Sequence, residues 1–113
     1  MKLKKPVFSY LDMLFSNLRR MDGFPNPQYE SIIKYIDQND KTILSIAVIS
    51  KKRNRFENAP NMHLHFSHSQ FYFISNMFTI SPLEVIPLIK EYISTILFPG
   101  LDLSLVPFHP YLK

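Results

Sequence analysis

The chain has no cysteine and no tryptophan, and only two of its 113 residues are glycine. Without cysteine there is neither a disulfide framework nor a thiolate metal site. With glycine only at positions 23 and 100, few places suit a positive φ and a glycine-rich phosphate loop is excluded. No apolar run approaches the ~20 residues of a membrane-spanning helix. The lead-in over residues 1–6 is basic, but Pro6, Asp12 and Asn17 interrupt whatever apolar stretch would follow it. We therefore expect no signal peptide and a cytoplasmic protein, or one in the interior of a host cell or organelle.

The residues that are present describe a globular chain, 46% hydrophobic and 19% charged, with ten Phe and six Tyr. Its length suits one small domain over 1–113. Thirteen Lys and Arg against nine Asp and Glu leave a net charge of +4, which favours anionic partners weakly. A Lys-, Ile- and Asn-rich, Gly-poor usage fits an AT-rich source such as a virus or mobile element.

The most informative stretch is 62–97. Met62, Leu64 and Phe66 alternate with His63, His65 and Ser67, which predicts a half-buried strand over 62–67. Phe71-Tyr72-Phe73-Ile74 predicts another over 71–75. Ser81, Pro82 and Glu84 then stand as N-cap, first helical residue and N3, with Ile80 and Val85 as a hydrophobic staple. The helix they open buries Val85, Ile86, Ile89, Tyr92, Ile93, Ile96 and Leu97, and ends at Pro99-Gly100. Pro87 removes one hydrogen bond near its start.

Upstream, Leu11, Leu14, Phe15, Leu18 and Met21 recur at helical spacing, predicting a helix over 10–22 that Gly23 stops. Tyr29, Ile32, Ile33 and Ile36 predict a second over 27–37. Residues 42–50, TILSIAVIS, read as a β-branched central strand. Leu101, Leu103 and Leu105 suggest a short final strand, and Pro107 and Pro110 keep the extended tail at 107–113 out of a central ladder. The expected fold is α+β, a two-layer sandwich with helices on one face of a mainly antiparallel sheet of three to five strands. Its expected order is α-α-β-β-β-α-β.

Two constellations could carry chemistry. Met62-His63-Leu64-His65-Phe66 puts two imidazoles on one strand face, roughly 7 Å apart. This hydrophobic–His–hydrophobic–His–hydrophobic run resembles the metal motif of the HUH endonucleases, which include rolling-circle initiators and relaxases. The resemblance implies a divalent ion on His63 and His65, and a tyrosine nucleophile at Tyr92 on the following helix. The sequence departs from the family where Tyr92 is followed by Ile93, Ser94 and Thr95 instead of a Tyr-x-x-Lys or Tyr-x-x-Gln pattern. Read residue by residue, the pair is the polar face of a half-exposed strand and Tyr92 lies on a core stripe. On that reading we expect no catalytic residue, no metal and no cofactor.

The second constellation is Lys51, Lys52, Arg53 and Arg55, four cations in five residues, with Phe56 adjoining. Cations neutralise phosphates and aromatic rings stack on unpaired bases. The leading expectation is thus a small, basic, non-enzymatic binding module for nucleic acid or a nucleic-acid machine. The alternatives are a protein-interaction or assembly subunit, or a homo-oligomer, using the apolar C-terminal tail, and an HUH-like single-strand nuclease.

Overall fold

The structure, a computed structural model, describes residues 3–23, 29–49 and 61–112. Among these it has three α-helices and one mixed five-stranded sheet, an α+β arrangement. In chain order the elements are α1 (Lys4–Ser16), β1 (Arg19–Asp22), β2 (Tyr29–Ile36), β3 (Thr42–Ile49), β4 (Met62–Ser67), α2 (His68–Phe78), α3 (Pro82–Tyr92) and β5 (Phe108–Leu112). A π-helical segment, Ile93–Leu97, prolongs α3. The order differs from the expected one, and four local expectations are corrected.

The first helix begins at Lys4 and ends at Ser16, so Gly23 does not stop it. Pro6 is tolerated because the first N–H groups of a helix have no intrahelical partner. Ser16 and the side-chain amide of Asn17 both donate to the Met13 carbonyl, which closes the last turn. Arg19 and Arg20 consequently belong to an edge strand, β1. Residues 29–36 form a strand, not a helix: Ile33 and Tyr35 pair with Ile46 and Leu44 across β2 and β3. An Ile-rich segment satisfies both periods over so short a span, and pairing with its β-branched neighbour decides.

Residues 71–75 are helical. The Ser67 hydroxyl accepts from the Gln70 N–H, and α2 buries Phe71, Ile74 and Ser75 at helical spacing. Finally, residues 101–106 form no strand. Leu103 and Val106 are buried, whereas Leu105 is 84% exposed. The extended tail supplies the fifth strand instead.

The strands lie in sequence order β1-β2-β3-β4-β5. The first four are antiparallel and β5 runs parallel to β4 along the edge. Two parallel neighbours need a crossover, which α2 and α3 provide, turning through 108° between them. Thr79 makes that corner with a left-handed backbone, φ 53°. No single helix among the described residues is long and apolar enough to cross a membrane.

One cluster joins the elements. Leu44 and Ile46 from β3 and Leu64 and Phe66 from β4 meet Val7, Leu11 and Phe15 of α1, Phe71 and Ile74 of α2, and Val85, Leu88, Ile89 and Tyr92 of α3. The caps predicted for α3 are present, with the Ser81 hydroxyl accepting from the Leu83 N–H and Ile80 and Val85 both buried. The sequence predicts a core of Leu14, Ile46, Val48, Leu64, Phe66, Ile89 and Ile93. Of these, Ile46, Leu64, Phe66, Ile89 and Ile93 belong to this cluster, Leu14 packs against it half-buried, and Val48, also half-buried, is not part of it.

Truncating Ile89 to Ala should therefore cost about 2–5 kcal/mol in urea unfolding, through the cavity it leaves. Ser67→Ala should cost about 1 kcal/mol by removing the α2 cap. Leu105→Ala, at an exposed position, should stay within about 0.5 kcal/mol of wild type. Equal losses at Ile89 and Leu105 would show the core to be misplaced.

Candidate functional site

Side chains alternate across a strand, so a strand whose even residues enter the core must show its odd residues on the other face. In β4 the core takes Leu64 and Phe66, which leaves His63 and His65 pointing away from it. The register continues this face across the sheet. One row runs Met21, Lys34, Ser45, His65 and His109, and a second runs Ile32, Ala47 and His63. The β3 partners of the two histidines are thus small residues, Ser45 and Ala47, both buried.

The tail strand completes the group. His109 stands opposite His65 in the parallel pair, and its Nε2 lies 2.9 Å from Nδ1 of His63. One of these nitrogens donates and the other accepts, according to which ring carries the proton. The ring centroids are 5.2 Å apart with planes 10° apart. At that nitrogen separation the rings meet edge to edge, not face to face. His65 and His109 form an offset stack at 4.8 Å, and His63 and His65 are 6.3 Å apart. Tyr111, 57% exposed, closes the group at 5.3 Å from His109 and 6.0 Å from His65.

Four rings therefore share one sheet face, though they come from strands over forty residues apart in sequence. The sequence reading singled out His63 and His65 and missed His109 and Tyr111. Their alternation, His109-Pro110-Tyr111, was the available signal, since residues two apart on a strand share a face. It was masked by Pro110, which reads as a strand breaker but is tolerated on an edge.

Burial is the largest influence on His65 and lowers its pKa, followed by the nearby His109 and His63 imidazoles. Burial, then His63, lowers His109 as well. Among the described residues no group of three or more His, Asp or Glu side chains is arranged to hold a metal ion.

Tyr92 is not brought to the histidines. It is 2% exposed, with its ring against Phe8 and Phe15 in the core, and its hydroxyl donates to Asp12 Oδ1 at 2.8 Å. Burial, with this hydrogen bond to a carboxylate, pushes its pKa far up, so an ionised Tyr92 is disfavoured. Lys51, Lys52, Arg53, Arg55 and Phe56 lie outside the described residues. They belong to the connection between β3 and β4, whose flanking strands pair Val48 with Met62 beside the Ala47–His63 pair. Of the other cations, Lys4 pairs with Glu91, Arg19 with Asp40 and Arg20 with Asp22. No family model, no curated protein and no solved structure matches the chain.

The lowered histidine pKa values fix a pH dependence. An unfolded histidine titrates near 6.5, and His65 and His109 titrate lower when folded. Above that pH neither state binds the proton and nothing is lost. As pH falls through it, the unfolded chain takes protons first, so stability declines toward the folded values. Tm should be lower at about pH 5.5 than at about pH 7.5, and His65→Asn/His109→Asn should flatten the difference. A profile unaltered by the double substitution would remove these residues from the linkage.

Proposed function

We propose that this is a small binding module for single-stranded nucleic acid, with its helices on one side of the sheet in a two-layer sandwich and the other side left as the contact surface. The observation that carries the reading is the grouping of His63, His65, His109 and Tyr111 on the sheet face that turns away from the core. Flat rings on a sheet are a platform for unpaired bases, and stacking tolerates many sequences because every base has a π-face. The four cations at 51–55 sit on the connection between the strands that carry this face's centre. They would neutralise the backbone of a strand whose bases lie on the rings.

The assembly reading loses part of the tail surface it relied on. Leu103, Val106 and Phe108 of the apolar tail pack on the protein's own core, and Leu105 and Tyr111 remain exposed. The nuclease reading places its nucleophile at Tyr92, which packs in the core away from the histidines. The tyrosine beside them is Tyr111, on an edge strand and not on the following helix.

The test is retention of oligo(dT) and oligo(U) at low salt. Tyr111→Ala should weaken binding about 5- to 150-fold without changing Tm, since one stacked base contributes ~1–3 kcal/mol. Neutralising Lys51, Lys52, Arg53 and Arg55 together should flatten the log–log salt slope by roughly 3, at ~0.7 per phosphate contact for single strands. An intact protein that retains neither oligonucleotide at low salt would end the proposal, leaving the assembly role.

A further inference from the structure

We infer that His63, His65 and His109 make this face a proton-dependent anion site, which takes up protons from solvent as it binds the phosphates of a single strand. The inference rests on the nucleic-acid reading above and adds how that contact is regulated.

The geometry makes the case. The bond between His63 Nδ1 and His109 Nε2 holds one proton between two nitrogens 2.9 Å apart. A second proton would aim two N–H groups at each other with no acceptor between them. His65, stacked 4.8 Å from His109, would add a third positive charge to the same patch. Two N–H groups cannot share that bond, and an anion bridging the two rings would give each of them an acceptor.

Among the described side chains, those facing the three rings from the neighbouring strands supply no negative charge. On β5 the neighbour is the Tyr111 phenol. On β3 the partners are Ser45 and Ala47, and one strand further the row reaches Lys34 on β2 and Met21 on β1. His68, at the start of α2, is turned to Tyr72 at 4.8 Å. The charges that act on His65 are those of His109 and His63, and no carboxylate is among them. Among the described side chains, then, the patch has donors for an anion and no carboxylate acting on His65. A phosphate laid on it would break the N–H···N bond and give each ring an oxygen to donate to. Hydrogen bonds from charged donors to phosphate are short and strong, and they favour the protonated rings.

The experiment uses the full chain with fluorescent oligo(dT) and oligo(U). Affinity is measured between about pH 7.5 and about pH 5.5 at fixed ionic strength, and binding heats are taken in two buffers of different ionisation enthalpy. Affinity should rise about tenfold for each ring whose pKa the bound strand raises by one unit, and the heats should report net proton uptake. His63→Gln/His109→Gln should flatten the pH series while keeping part of the binding. Should that variant fail to fold, the proton count on the unsubstituted chain decides alone. Binding that is independent of pH and buffer overturns the inference and leaves the nucleic-acid reading standing. An unchanged pH series in a folded double variant also overturns it. No binding at any pH removes both.

Discussion

The pleat of one strand organises this protein. β4 has period two imposed on it by its neighbours, with Leu64 and Phe66 fully buried among residues of all three helices. A slip of one residue would send both into solvent and two imidazoles into an apolar core. The desolvation cost of that exchange locks the register. Locking the register in turn places His63 and His65 on the outer face. The histidines are where they are because the leucine and phenylalanine between and beside them have nowhere else to go.

The same strand sets the topology. Ser67 is both its last residue and the cap of α2, so no loop separates sheet from helix. From there α2 and α3 carry the chain across the core and return it parallel to β4. Phe108, the first residue of β5, packs on Phe66 and Phe71 and anchors the returning strand. With that anchor in place, strand alternation delivers His109 and Tyr111 to the face that already carries the other two histidines. A hydrophobic contact on one side of the sheet thereby assembles a polar cluster on the other.

Much of this was legible and some was not, for physical reasons tied to particular residues. Strands 42–49 and 62–67 and the helix from Pro82 follow from alternation, β-branching and a complete cap, which are local signals. The segment 29–36 failed because Ile32, Ile33 and Ile36 fit a helical stripe as well as a pleat, and only pairing with β3 distinguishes them. Residues 68–78 failed differently. Ser67-His68-Ser69-Gln70 has the spacing of a capping box, yet the aromatic run Phe71-Tyr72-Phe73 behind it suits a strand equally well by composition. The site divides the same way. His63 and His65 are visible as a pair, whereas their meeting with His109 depends on a parallel pairing across forty residues that no local pattern encodes.

Placing such a cluster on an edge strand has a consequence for its chemistry. Among the described residues β5 is bonded to one neighbour, β4, and Pro110 removes one of its donors. The strand that contributes His109 is therefore less firmly held than the one that contributes His63 and His65. Mutual repulsion among charged rings acts across this same junction. Relief can come either from an anion that bridges the strands or from separation of the strands themselves. Phe108 resists the second, since leaving would expose an aromatic side chain that packs against the core. The anchor on the inner face is thus what would hold the outer face together long enough for an anion to bind.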